Sequence, residues 1–278
     1  MRKTVLPRTE KDIGMQFTDI HSHILPYLDD GAFSREDSLE MAKLADESFV
    51  SDIVCTAHAS IGCRYSVKDL AVTLEHVSAR LERHGCGVRL HPGQEILIKE
   101  NAAEVLEALK RGSLLTLAGS RYVLIEFPPA ERAAVILKAA GTLAGGGYVP
   151  VIAHPERYTA LHEDEGIAHE LHSIGALLQV NKGSVSGYFG RAAFDTVVRL
   201  LENRQADFLA SDAHSPFGRT PELRSAHEWV SGYISPDYAD RLLCRNPNHI
   251  LNDETVHVSE RTSGQHDGGS EHHHHHSY

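Results

Sequence analysis

Residues 122–154 read YVLIEFPPAERAAVILKAAGTLAGGGYVPVIAH. Tyr122–Phe127 and Val149–Ala153 are apolar runs of strand length, and 131–144 between them carries a helical pattern. Strands that are apolar on both faces and joined through a helix belong to a parallel sheet covered by helices. Gly145-Gly146-Gly147 precedes a strand instead of following one, so it reads as a connection and not as a phosphate cradle. Two residues break the apolar pattern. Glu126 sits in an otherwise buried run, where a carboxylate must be paired or bound to a metal. His154 ends the next strand.

The same alternation extends in both directions. Upstream, Phe17–Ile20, Asp52–Thr56 and Gly87–His91 read as strands, and helices follow over 34–50, 67–84 and 102–110, the first capped by Ser34. Downstream, helices near 164–173, 190–204 and 221–231 alternate with strands Ala176–Val180 and Asp207–Ala210. A short helical stretch after Pro236 and the segment Asn246–Leu251 close the unit. Seven strands alternating with helices predict an α/β fold, open or closed as a barrel. No Pro/Gly-rich linker divides it, so one domain is expected over 15–257. Residues 1–14 read as a disordered leader. Residues 258–278 read as a flexible tail whose His272–His276 run is a purification tag, leaving fifteen natural histidines of 20.

The unusual polar residues fall at strand ends. His21 and His23 follow the first strand, His58 the second and Glu95 the third; Glu126 lies in the fourth, His154 ends the fifth, and Asp212 and His214 follow the last. In a parallel α/β protein those ends meet on one rim, where active sites are assembled. Residues two apart in a strand share a face, so His21 and His23 point together. Imidazole and carboxylate ligands suit zinc, manganese or iron. Taken singly, His58 and His154 could each terminate a strand structurally, Glu95 could cap a turn, and Asp212 could do so through its side chain. Taken together, they predict a metal-dependent hydrolase. Asp29-Asp30-Gly31 is a turn close enough to the first histidine pair to add a ligand. His76, His84, His162, His169, His172, His227 and His257 lack converging partners and read as surface residues, while His91 reads equally as core or as support for the site.

Charge and composition exclude other classes. A net charge of -11, from 27 Lys+Arg against 38 Asp+Glu, disfavours nucleic acid and anionic membrane as partners. No stretch reaches the length of an apolar membrane span and no secretory signal opens the chain, so a cytoplasmic location is expected. Cys55, Cys63, Cys86 and Cys244 form no metal or disulfide signature and read as free thiols. The loop around Cys63-Arg64 lacks the phosphate-cradling sequence of cysteine-based phosphatases.

These motifs carry a resemblance. Asp19-Ile20-His21-Ser22-His23, Asp29-Asp30-Gly31, Thr56-Ala57-His58, Gln94-Glu95-Ile96, Leu124-Ile125-Glu126-Phe127, Ile152-Ala153-His154-Pro155-Glu156-Arg157, Gln179-Val180-Asn181 and Ser211-Asp212-Ala213-His214 resemble the polymerase and histidinol phosphatase (PHP) superfamily. With Gly218-Arg219 and Asn246-Pro247, the similarity spans about residues 16–251. It is strongest to the bacterial manganese-dependent protein-tyrosine phosphatase branch of capsular and exopolysaccharide biosynthesis, in which glutamate stands where many members have histidine at position 126.

The resemblance implies a distorted seven-stranded (β/α) barrel holding three divalent metals, manganese first, with iron or zinc as alternatives. His21, His23, Glu95 and Asp212 would hold the first metal and Glu95, Glu126 and His154 the second. Asp30, His58 and His214 would hold the third, with Asp29 as the alternative aspartate. Arg157 and Arg219 match the branch's phosphate-binding residues. The implied reaction is hydrolysis of a phosphotyrosine protein, the tyrosine kinase of a polysaccharide export system, by a hydroxide held between metals. The alternatives are a phosphoesterase of the same superfamily acting on histidinol phosphate, a nucleotide or a sugar phosphate, and a non-catalytic metal protein of polysaccharide assembly. The leader and the segment Ala59–Tyr65, which is poorer in histidine and basic residues than its counterparts, depart from the branch.

Overall fold

A computed structural model of the chain describes residues 14–258. The leader and tail therefore lie outside the described residues, apart from Gly14 and Val258. Among the described residues there are nine strands: β1 Phe17–Ser22, β2 Val50–Cys55, β3 His58–Ala59, β4 Arg89–Pro92, β5 Glu95–Leu97, β6 Tyr122–Glu126, β7 Val149–Ala153, β8 Leu177–Asn181 and β9 Phe208–Ala210. The helices between them are α1 Arg35–Glu47, α2 Val67–Arg83, α3 Ala102–Arg111, α4 Ala133–Gly145, α5 Thr159–Glu163, α6 Gly166–Ile174, α7 Lys182–Val185 and α8 Arg191–Glu202. After β9 come α9 Arg224–Tyr233, α10 Pro236–Asp240 and α11 Asn246–Leu251. Ser34 caps α1 as expected, accepting from Asp37 N.

All pairings are parallel, in a three-stranded sheet β1-β2-β4 and a six-stranded sheet β3-β5-β6-β7-β8-β9. This corrects the expected seven continuous strands, because the second and third runs each break and change sheets. In the second, Thr56 N stays bonded to Ser22 O on β1 at 2.9 Å, whereas Ala57 O turns away to accept from Glu95 N at 3.1 Å. In the third, Pro92 has no N–H to extend the ladder, and Gly93 is packed so closely that a Cβ would lie 2.8 Å from Val54 Cγ1. The first and last runs meet only at their carboxyl ends. There the Ser22–Ala213 bridge is flanked by Asp212 N to His21 O and His23 N to Ala213 O, both 2.8 Å.

Strand alternation sorts the core. Ile20, Val54, Tyr122, Leu124, Val151, Ala153, Leu177, Phe208 and Ala210 form one inner cluster, floored by Ile250 of α11. Val123, Ile125, Ile152, Leu178, Val180 and Leu209 point the other way, into the layer shared with the helices. The inner cluster therefore runs directly beneath the strand ends that carry Glu126 and Asp212.

Candidate metal centre

Two residues reach the inner side only through local departures from regular strand. Between Asp19 and Ser22, β1 takes three residue steps where β2 takes two from Ile53 to Cys55, and this bulge re-aims His21. His154 would follow Ile152 outward, but its left-handed backbone, φ 34° and ψ 60°, turns the imidazole towards Glu95. Asp212, just past β9, is also left-handed at φ 48°. Such geometry in a non-glycine residue costs about 1 kcal/mol and persists only where surrounding contacts enforce it.

The result is a compact group of donors. His21 Nε2 and His23 Nε2 are 3.2 Å apart, and each lies 3.1 Å from both Glu95 Oε1 and Asp212 Oδ1. Donor atoms about 2.0 Å from a tetrahedral ion would sit about 3.3 Å from one another. Glu95 Oε1 and Asp212 Oδ1 are buried yet accept no directed hydrogen bond. Two orphaned carboxylate oxygens facing two imidazoles fit a divalent cation.

Two further groups adjoin this one. His58 Nδ1 is 2.9 Å from Glu126 Oε1 and 3.3 Å from Glu95 Oε1, and His154 Nε2 is 3.0 Å from Glu95 Oε2 and 3.6 Å from Glu126 Oε2. On the other side, Asp30 Oδ1 faces His58 Nε2 at 3.5 Å and His214 Nε2 at 3.4 Å, with His23 in the same group. All nine sequence-predicted metal residues are thus brought together. His58 and Glu95 begin strands instead of following them, a consequence of the two breaks.

Burial disfavours charge on His21 and His23, but the carboxylates of Asp212 and Glu95, with Asp29 added for His23, outweigh it and hold both imidazoles well above their usual range. Burial likewise opposes ionisation of Glu95 and Asp212, and His21 above all keeps them well below theirs. His154 is raised to about 9, Glu126 and Glu95 overcoming its burial. Without a metal the imidazole protons balance the carboxylates; a bound cation would displace them.

A surrounding layer orients these groups. Asp29 Oδ2 accepts from His23 Nδ1 at 2.7 Å and from His58 N at 2.9 Å, so it supports the site while Asp30 faces it. Gln179 Oε1 faces His21 Nδ1 at 2.6 Å, and Asn181 Nδ2 donates to Asp212 Oδ2 at 2.8 Å. The Asp19 carboxylate accepts from both Ser211 Oγ and Ser211 N. Asp19, Gln179 and Asn181 lie within the motifs, and their roles emerge only from these contacts. Their signal was a polar residue on an apolar strand, two residues from another. Three histidines expected at the surface have partners instead. His172 bonds Asp207 at 2.8 Å, His227 bonds Asp240 at 2.7 Å, and His162 bonds Glu156 O at 2.6 Å, and none of the three is fully exposed.

Arg219 Nη2 reaches Asp212 Oδ2 at 2.9 Å, and the guanidiniums of Arg157 and Arg219 lie 4.0 and 5.3 Å from the centre of one ring, Phe189. Arg219 therefore stands beside the donor cluster, and Arg157 shares the ring of Phe189 with it.

Over this fold and cluster, the family model for capsular polysaccharide synthesis, CpsB/CapC, matches residues 17–252. The chain belongs to the CpsB/CapC family. Among CpsB/CapC relatives, it is 37% identical over 244 residues to the tyrosine-protein phosphatase YwqE of Bacillus subtilis, covering 86% of this chain and 92% of YwqE. It is 36% identical over 199 residues to the putative tyrosine-protein phosphatase CapC of Staphylococcus aureus, covering 71% and 76%. A solved structure from work on YwqE and Streptococcus pneumoniae CpsB, described as unique metal-dependent tyrosine phosphatases, superposes with a TM-score of 0.80 at 32% identity, covering 86% of this chain and 96% of that one. The tyrosine phosphatase branch to which the motifs pointed is thus the family of the chain.

Proposed function

We propose that this protein is a metal-dependent protein-tyrosine phosphatase. The observation that carries the reading is the convergence of His21, His23, Glu95 and Asp212 on one point, with two orphaned carboxylate oxygens and with Arg219 bonded to Asp212. Its family relatives bear the same activity in their names.

In this reading His21, His23, Glu95 and Asp212 hold the first of three metals, Glu95, Glu126 and His154 the second, and Asp30, His58 and His214 the third. Manganese is the first candidate. The metals, when bound, supply a nucleophile from water near neutral pH and neutralise charge developing on the phosphoryl group. Arg157 and Arg219 grip the non-bridging phosphoryl oxygens, for which the planar guanidinium fork is suited. A tyrosyl leaving group, with an unperturbed pKa of about 10, departs without a strong general acid. Asp29 and Gln179 hold the imidazoles of His23 and His21 with Nε2 turned inward. We read the seven sequence runs as a distorted (β/α) barrel, the protein as cytoplasmic, and the substrate as a tyrosine kinase of polysaccharide export. The family's link to capsular polysaccharide synthesis supports that partner, and no helix among the described residues is long and apolar enough to cross a membrane.

The test is phosphate release from a phosphotyrosyl peptide by chelator-treated protein resupplied with Mn, Fe or Zn, alongside histidinol phosphate, a nucleotide and a sugar phosphate. Metal-dependent turnover favouring the peptide is expected. A large preference for a small molecule would move the protein to another phosphoesterase class, and no release under any metal would leave a non-catalytic role.

A further inference from the structure

Arg157 is half-buried, yet among the described residues its guanidinium has no hydrogen-bond or ion-pair partner. Its close neighbour is the ring of Phe189, 4.0 Å from centre to Cζ, and the same ring lies 5.3 Å from Arg219 Cζ. An arginine fixed by a carboxylate spends donors and charge on that partner. One fixed on an aromatic face keeps its in-plane N–H donors free, because the attraction runs through the ring quadrupole.

The segment that presents Phe189 is built for the purpose. Gly187 and Gly190, at φ 82° and 91°, bracket Tyr188-Phe189 in left-handed turns that other residues adopt at a cost. Gly183, beneath, leaves room for the ring: a Cβ there would lie 2.7 Å from Phe189 Cε2. Lys182 Nζ donates to Thr220 O at 2.6 Å, tying the start of this segment to the residue after Arg219. Tyr188 packs edge-on against Phe189, with ring centres 5.0 Å apart.

We infer that Phe189 is the positioning residue of the anion pocket, a ring that holds the Arg157 guanidinium with its donors open to a phosphoryl group, next to Arg219, which Asp212 already fixes. The inference rests on the proposed phosphatase reading for its ligand class. It makes the segment Gly183–Gly190 part of substrate binding, although none of its residues belongs to the donor groups.

The experiment measures inorganic phosphate affinity by calorimetry on metal-loaded protein, together with KM and kcat on a phosphotyrosyl peptide, for wild type, Phe189→Leu, Phe189→Tyr and Gly183→Ala. Phe189→Leu should weaken phosphate binding and raise KM by ~10-fold with metal content unchanged and kcat much less affected. Phe189→Tyr should restore both, and Gly183→Ala, which displaces the ring without removing it, should shift both in the same direction as Phe189→Leu. Wild-type phosphate affinity in a folded Phe189→Leu protein would overturn the inference, as would an affinity loss that tracks loss of metal. If wild type hydrolyses no phosphoester, the phosphatase reading fails, and the phosphate affinities still decide the role of Phe189.

Discussion

Gln179 Oε1 lies 2.6 Å from His21 Nδ1, and the amide nitrogen of Gln179 is committed to Val180 O and Asn181 Oδ1 at 2.9 Å each. With its N–H groups spent, Gln179 can only accept from the imidazole. His21 therefore keeps a proton on Nδ1, so that a cation displacing the proton on Nε2 would meet the Nε2 lone pair facing Glu95 and Asp212. Outer partners of this kind change metal affinity by ~10–100-fold. Gln179→Leu should lose metal to a chelator at correspondingly lower concentration while remaining folded; unchanged metal retention would show that Gln179 only packs.

Asp29 and Asp30 are adjacent but have opposite duties. Asp29 accepts from His23 Nδ1, His58 N and Gly31 N, and Asp30 points to His58 and His214 with its side chain 70% exposed. Asp29→Ala should lower unfolding free energy by about 2–4 kcal/mol, since three hydrogen bonds to one carboxylate are lost. Asp30→Ala should change stability by less than about 0.5 kcal/mol and lower metal stoichiometry. Denaturant unfolding and elemental analysis of the two variants separate these roles, and identical profiles would contradict them.

The arginines also differ. Arg157→Ala removes a cation with no acceptor among the described residues, so it should leave thermal stability and metal content unchanged and raise KM for a phosphotyrosyl peptide by ~10-fold or more. Arg219→Ala also removes a donor from Asp212 Oδ2, leaving Asn181 Nδ2, and should weaken metal retention as well. Loss of metal in the Arg157 variant would place that residue in the metal centre instead.

Far from the rim, Asp52 accepts from Arg89 Nε and Nη2, His91 Nε2 and Ser51 Oγ, all within 2.9 Å. Burial pushes its carboxyl up, but these donors outweigh burial and hold it well below the usual carboxylate range. A depressed folded-state pKa contributes stability above the unfolded value of about 3.9 and loses it as pH falls further. Wild type should exceed Asp52→Asn by about 1–2 kcal/mol at pH 7, and the gap should close as pH drops below about 3.9. A gap independent of pH would remove Asp52 from the acid response.

What the chain disclosed in advance follows from period and position. His21, His23, His58, Glu95, Glu126, His154, Asp212 and His214 stood at the ends of apolar runs, and parallel strands bring such ends together whatever their separation in sequence. The break at Thr56-Ala57 was invisible because the apolar pattern runs up to it and only the competition for backbone partners on β1 and β5 divides the strands, whereas Pro92-Gly93 marks the other break but the three-residue β5 beyond it is too short to read as a strand. The left-handed turn at His154 is a property of tertiary contacts. His172 and His227 looked solvent-facing because their partners, Asp207 and Asp240, lie 35 and 13 residues away. Gln179 and Asn181 were legible as buried amides, but their connection to His21 and Asp212 required the strands in place.

Anomalous diffraction at the Mn, Fe and Zn edges, from crystals of protein never exposed to chelator, tests the metal centre most directly. A peak about 2.0–2.2 Å from His21 Nε2, His23 Nε2, Glu95 Oε1 and Asp212 Oδ1 is expected, with two more, one beside Glu126 and His154 and one beside Asp30 and His214. The absence of any peak among His21, His23, Glu95 and Asp212 in crystals supplied with all three metals would contradict it.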